Sequence, residues 1–297
     1  MKADGSHDAE RAVLVTGASS GIGHAIATRL AGSGFHVFAG VRNARDGAAL
    51  REVHAALEPV IVDVTKPEQI AAAAEHLGRA VGEQGLFGLV NNAGIGVSGP
   101  LELLPLDELR WQFEVNVFGQ IAVTQALLPL LRRAKGRIVN IGSVGDRITI
   151  PFAGALTASK HAFASLNDAM RMELHAWGIH VALVEPGAIV TKAVDKLELD
   201  AEKTIAGFTE EGRSLYGETY RAAVKRAAEH ERQGSPPDVV AQAVERALAA
   251  RKPRTRYLVG HSARPLALMA KTLPDTLLDR VRFAITGLPP KFGSRAG

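Results

Sequence analysis

The chain contains no cysteine, which excludes disulfides, thiolate metal sites and cysteine nucleophiles; no metal centre is expected. Aromatic residues make up only 5% of it, and tyrosine occurs three times, as Tyr216, Tyr220 and Tyr257. No apolar run reaches the roughly 18 residues that a spanning helix needs, and the polar opening carries no signal-peptide core. These absences fit a cytoplasmic protein whose residues 1–11 form a disordered lead-in.

What is present is 297 residues, 46% of them hydrophobic and rich in Gly and Ala. That length is enough for a sizeable core with helices packed closely on a sheet. The net charge of +4 is unevenly placed. Residues 251–297 hold ten Lys/Arg against Asp275 and Asp279, so the rest is near −4. This basic segment, interleaved with Leu, Met and Phe, reads as helix packed on its own domain with a solvated basic face. Contact with a membrane surface (weak), an anionic partner or another subunit is the other reading, and no nucleic-acid partner is expected.

Short apolar runs alternate with longer amphipathic stretches. Strands are predicted at Ala12–Thr16, His36–Val41, Val60–Val62, Leu86–Val90, Arg137–Ile141, His180–Val184 and Tyr257–Val259. Helices are predicted at Gly21–Ser33, Asp46–Ala56, Pro67–Val81, Leu106–Leu131 and Leu156–Trp177. The rhythm implies βαβ crossovers and a parallel sheet covered on both faces. After Pro186 it changes to charged helical pieces, Asp195–Arg232 and Pro237–Arg251.

The run Thr16-Gly17-Ala18-Ser19-Ser20-Gly21-Ile22-Gly23 lies where a strand ends and a helix begins. Glycines there let backbone N–H groups approach a pyrophosphate at the positive helix end. The second strand ends in Val41-Arg42, with no acid to accept a ribose 2′-hydroxyl. A guanidinium suits a 2′-phosphate, and Ser20 adds a hydroxyl, so NADP(H) is favoured over NAD(H). The alternative is a plain surface charge at Arg42. Asp63, followed by Val64, either accepts the adenine amino group or caps the next helix. Asn91-Asn92-Ala93-Gly94 closes the fourth strand with small residues beside the adenosine, its asparagines also tying strands together.

In order and spacing, these motifs resemble the short-chain dehydrogenase/reductase family over about Ala12 to Val259. Asn116, Ser143, Lys160 in Ala158-Ser159-Lys160, and Pro186-Gly187 with Ile189 and Thr191 complete the resemblance. Arg254-Thr255-Arg256-Tyr257 and Leu273-Pro274-Asp275 are similar to its hydroxysteroid- and retinol-dehydrogenase-like branch. The resemblance implies that Lys160 holds the nicotinamide ribose and lowers the pKa of a neighbouring tyrosine, which exchanges a proton with the substrate oxygen. It implies that Ser143 bonds that oxygen, that Asn116 holds a water leading to Lys160, and that Ile189 and Thr191 hold the carboxamide and phosphates. It also implies a homodimer or homotetramer.

One position departs from that pattern. The tyrosine belongs one turn before Lys160, where this chain has Leu156, which cannot relay a proton. Either another group acts as acid (Tyr216, Tyr220, Lys160, Ser143 or water), or the protein binds cofactor without hydride transfer, or the leucine disables an ordinary reductase. The expected fold is a single-domain Rossmann-type doubly wound parallel sheet of about seven strands, spanning 12–260. A helical lid over residues 193–234 covers the pocket, and 261–297 form a basic amphipathic extension. Val144, Ile148, Ile150 and Phe152, with lid residues such as Val194, Leu197 and Phe208, suggest a hydrophobic ketone or alcohol as substrate. The expected activity is an NADP(H)-dependent short-chain oxidoreductase with an atypical acid–base group.

Overall fold

The computed structural model describes residues 11–289 and 292; the lead-in 1–10 and most of 290–297 lie outside the described residues. In chain order the elements begin β1 Ala12–Val15, α1 Gly21–Gly32, β2 His36–Val41, α2 Ala44–Arg51, β3 Leu57–Ile61, α3 Pro67–Val81 and β4 Gly88–Asn91. They continue α4 Leu106–Phe113, α5 Gly119–Ala134, β5 Arg137–Ile141, α6 Gly154–Glu173 and β6 His180–Pro186. Last come α7 Val194–Ala206, α8 Glu210–Arg232, α9 Asp238–Ala249, β7 Arg256–Val259, α10 Ala263–Thr272 and α11 Asp275–Thr286.

All seven strands are parallel, in the order β3-β2-β1-β4-β5-β6-β7. Successive strand residues point to opposite faces, and both faces are apolar. Val13 and Val15 feed one core with Ile26, Leu30, Val240 and Val244 of α1 and α9. Ala12 and Leu14 feed the other, with Leu77 of α3 and Leu127 and Leu131 of α5. The strands therefore read as continuous hydrophobic runs, the signature of a sheet buried on both sides.

Several boundaries differ from the sequence reading; β4 runs Gly88–Asn91 rather than Leu86–Val90, and Asp195–Arg232 divides into α7 and α8. α2 starts at once after Asn43, whose side chain accepts the Asp46 N–H as an N-cap. β3 begins at Leu57 rather than Val60, because Leu57 to Ile61 pair in register with Val37 to Val41. Glu58 and Pro59 are tolerated there since β3 is the sheet edge. Finally, Leu106–Ala134 is one continuous helix of 29 residues, joined by a π turn at Glu114–Phe118. By its length, and by a mean hydropathy of 1.2 over an 18-residue stretch of it, this helix is long and apolar enough to cross a membrane. Its apolarity has a local cause: over half of that stretch is buried, and α5 covers one face of the sheet.

A polar ladder crosses this core beside the site. Asn91 Nδ2 donates to Asn140 Oδ1 at 2.9 Å and to Thr124 Oγ1 at 2.8 Å. Asn140 Nδ2 donates in turn to Asn167 Oδ1 at 3.0 Å. All four residues are buried, so β4, β5, α5 and α6 are locked in one register by bonds that water does not compete for. Asn140→Ala strands two of these groups and is expected to cost about 1–3 kcal/mol. Urea unfolding should show this as a lower midpoint at unchanged slope.

Candidate functional site

The strand order reverses between β1 and β4, so the loops leaving them part and open a crevice at the carboxyl ends of the strands. The Thr16 hydroxyl holds the two loops at that point, accepting N–H bonds from Asn92 at 2.9 Å and Ala93 at 3.0 Å. The Asn92 carboxamide returns bonds to the carbonyls of Thr16 and Gly17. A side chain cannot enter this junction. A Cβ on Gly23 would stand 2.2 Å from the Gly17 oxygen, and one on Gly17, at φ +66°, 2.9 Å from Ala93 Cα.

A cavity of about 320 Å³ occupies the crevice. Of the residues predicted to bind cofactor, Gly17, Ser19, Ser20, Gly21, Ile22, Gly23, Arg42, Asp63, Val64, Asn92, Ala93, Gly94 and Thr191 all line it. Gly40, Val62, Ile95, Trp111, Val115 and Ala193, which the sequence reading did not select, line it too. The fit to a dinucleotide is good. Ser20 caps α1 without spending its side chain on the helix, and the first turn carries no acid, so the positive helix end is open to an anion. Arg42 is exposed at the rim and makes no ion pair among the described residues. Asp63 turns out not to cap α3, whose N-cap is Lys66. Its Oδ1 instead accepts from Thr65 N and Oγ1, shaping the turn before the helix.

Pro186, Gly187, Ile189 and Lys160 are not on that cavity wall. The Ile189 N–H is donated to the Glu231 carboxylate at 3.1 Å. Larger surface grooves occur elsewhere, one of about 720 Å³ along β7 lined by Arg246, Arg254, Arg256 and Arg264. None of the sequence-predicted site residues lines it.

The catalytic candidates meet at the carboxyl end of β5. Ser143 opens the turn after that strand, and its Oγ accepts the Gly145 N–H at 3.0 Å. Its own O–H remains available to donate. Lys160, on α6, sends Nζ to the Ile141 carbonyl at 2.9 Å. Burial lowers this ammonium to about 8, against an opposing pull from Asp146. Asn116 lies in the π turn between α4 and α5, a distortion common at functional sites. Its carboxamide is spent on the Ile95 main chain, accepting at 2.9 Å and donating at 3.0 Å, with a further bond to Ser159 Oγ. Leu156 is half-buried one turn before Lys160, its Cδ2 packed toward Gly96.

Tyr216 and Tyr220, in the segment expected to form the lid, are both engaged elsewhere. Tyr220 is fully buried, and its hydroxyl pairs with Ser98 Oγ at 2.8 Å. Tyr216 donates to the Glu102 carboxylate at 2.5 Å. With Ala201, Ile205, Phe208 and Val224, Tyr220 forms a small core between α7 and α8, so much of the apolar character of this segment serves its own packing. A second cavity, of about 450 Å³, lies between the loop after β4 and α7, lined by Val97, Leu103, Leu104 and Phe208 among others.

Sequence reasoning missed a buried charged cluster under Ser143. Glu185 of β6 accepts bonds from Arg147 Nε at 2.6 Å and Nη2 at 3.0 Å, and from Arg256 Nη1 at 2.9 Å. Arg256 also bonds Asp168 at 2.7 Å. Asp146 is enclosed beside this group, and burial, reinforced by Glu185, pushes its carboxyl up to about 8. Only the adjacent pair Asp146-Arg147 hinted at it in the sequence.

That shift fixes a pH dependence. Between the ordinary carboxyl value of 3.8 and about 8, the folded chain keeps a proton that the unfolded chain has released. Its contribution to stability is complete below that window and is lost as pH rises through it. Asp146→Asn should flatten this part of the stability–pH curve measured by denaturant unfolding.

Comparison with known proteins agrees with this geometry. A family pattern described as short chain dehydrogenase matches residues 11–202. Retinol dehydrogenase 16 of Homo sapiens is 37% identical over 96% of this chain and 92% of its own length. The NADPH-dependent 3-dehydrocapnine reductase of Ornithobacterium rhinotracheale is 36% identical over 91% and 95%. The crystal structure of a short chain dehydrogenase from Burkholderia cenocepacia in complex with NADP superposes with a TM-score of 0.71 at 26% identity, covering 92% of this chain and 97% of that one. A doubly wound sheet, a glycine-walled crevice at its switch point and a serine and lysine at the end of β5 thus accompany a family match over most of the fold, and the chain belongs to the short-chain dehydrogenase family of oxidoreductases.

Proposed function

We propose that the protein is an NADP(H)-dependent oxidoreductase that interconverts a hydrophobic ketone and its alcohol, using an acid other than the usual tyrosine. The observation that carries this reading is the crevice, whose walls unite the glycine turn, Arg42 and Thr191. In it the α1 N-terminus with Ser19 would hold the pyrophosphate, and Arg42 with the Ser20 hydroxyl would take the 2′-phosphate. When bound, the nicotinamide supplies or accepts the hydride. Ser143 donates its O–H to the substrate oxygen. Lys160, held in a site where burial weakens its charge, carries a mobile proton beside it. The similarity to a retinol dehydrogenase and to an NADPH-dependent reductase supports both the reaction class and the phosphorylated cofactor.

Leu156 supports a second reading, in which the chain binds cofactor without hydride transfer. Turnover of NADPH with retinal, a steroid ketone or a long-chain 2-ketone decides between them; none above background selects the second.

Binding titrations should give tighter NADPH than NADH. Arg42→Ala should weaken NADPH by roughly 10- to 100-fold, the scale of a charge-assisted bond, and leave NADH nearly unchanged; equal loss for both would remove Arg42 from the 2′-phosphate. Leu156→Tyr should raise the rate roughly 10²–10⁴-fold, the scale of a positioned acid–base group. An unchanged rate would mean that the leucine is not the deficit.

A further inference from the structure

The two outer strands of the sheet, β3 and β7, treat their free edges differently. In a parallel ladder alternate residues bond the neighbouring strand, and those between them point their N–H and C=O groups away from it. On β3 the even-numbered residues face inward: the Ala56 carbonyl accepts from Val37 and the Val62 N–H donates to Val41. Pro59 therefore stands on the outer side, where it removes the middle N–H of that edge. On β7 the Thr255 carbonyl accepts from Leu183 and the Val259 carbonyl from Gly187, which turns the main chain of Arg256 and Leu258 outward. β7 holds no proline. Its one charged side chain, that of Arg256, is drawn back to Glu185 and Asp168 and leaves the free edge unguarded.

The groove of about 720 Å³ follows that edge. Tyr257, Leu258 and Val259 all line it; since successive side chains of a strand point to opposite faces, a groove that touches all three runs along the edge. Its other cations come from neighbouring elements: Arg246 from α9, Lys252 and Arg254 from the connecting loop, and Arg264 from α10. No acidic residue lines it. These four side chains are exposed and make no ion pair or hydrogen bond among the described residues. Charges that protect an edge against pairing sit on the strand itself. Here they stand around the strand instead.

We propose that the free edge of β7 is a docking site for an extended, acidic segment of a partner protein, which adds to the sheet as a further strand. Main-chain bonds at Arg256 and Leu258 hold the segment, and its carboxylates meet the four unpaired cations. Charge and main chain together select this occupant. A second copy of the chain brings the same four cations opposite themselves, and like charges facing across a strand pair are destabilising. A nucleic acid matches the charge but leaves the outward N–H and C=O groups without a ladder. Nothing in this depends on the reductase reading, since no residue of the cofactor crevice lines the groove.

The test uses the full chain and a fluorescent peptide of alternating Glu and Thr, about eight residues long to match a strand and blocked at both ends. Fluorescence anisotropy should show saturable binding that weakens as salt rises. Arg246→Glu combined with Arg264→Glu should weaken it by about 10-fold or more. The same peptide N-methylated at every residue keeps its charge but has no N–H to donate, and should lose about as much. Hydrogen exchange at the Leu258 amide should slow when the unmethylated peptide is bound. Leu258→Pro, which copies Pro59 on the opposite edge, removes an outward donor and no bond to β6; it should abolish binding with the circular dichroism unchanged. If that variant folds poorly, the methylated peptide decides. No saturable binding, equal binding of the methylated peptide, or an unprotected Leu258 amide overturns strand addition. So does tighter binding of a single-stranded oligonucleotide of equal charge, or self-association that Leu258→Pro undoes, which makes the occupant a second copy.

Discussion

The hydroxyl of Thr16 is the point on which the rest of the site depends. It sits at the end of β1 and accepts two N–H bonds from the chain leaving β4, where two adjacent parallel strands send their loops in opposite directions. Without that bridge the two loops are joined through the Asn92 carboxamide and the Thr16 main chain, and the crevice between them loses two of the bonds that fix its width. The bridge in turn requires close approach, which is why Gly17 and Gly23 cannot carry even a methyl group. A phosphate-binding turn is thus a packing constraint before it is a recognition device.

A second theme is how the chain handles polar groups that it has removed from water. The asparagine ladder, Asn91 Oδ1 apart, and the Glu185 cluster are closely paired, and each ties together elements distant in sequence. Asp146 breaks this habit. Protein interiors rarely leave an enclosed side-chain oxygen without a donor, and here no N–H reaches either oxygen of the Asp146 carboxyl, whose neighbour is the Glu185 carboxyl, next to the turn that presents Ser143. Leu156 contributes to the same local balance: its isobutyl group, one turn before Lys160, offers the ammonium no hydrogen-bond partner. The Lys160 ammonium binds a main-chain carbonyl instead.

Much of the fold was legible because strand and helix periods speak for themselves. Val13 and Val15 alternate with Ala12 and Leu14, and the glycines of Thr16–Gly23 fall where a strand meets a helix. The cofactor wall was readable for the same reason, since most of its residues come from short contiguous motifs. What escaped the sequence depends on partners that only the folded chain brings together. Register with β2 drew Glu58 and Pro59 into β3. The tyrosines of the lid segment looked free on paper, whereas Ser98 and Glu102, more than a hundred residues earlier, engage them. The Asp146 cluster draws its members from the turn after β5, from β6 and from β7, and no local pattern unites them.

The π turn at Glu114–Phe118 has a consequence for how site and scaffold are separated. One extra residue in a helix is absorbed there locally, so the face that α5 buries against the sheet is set independently of α4, whose buried residue is Gln112. Removing one residue from the bulge would regularise the helix and leave the α5 face on the sheet. The carboxamide of Asn116 would lose its aim at Ile95, leaving the loop that borders the crevice to the bonds of Gln112 with Ile95 and Val97. Within this helix the scaffold therefore tolerates a change in chain length that the site does not.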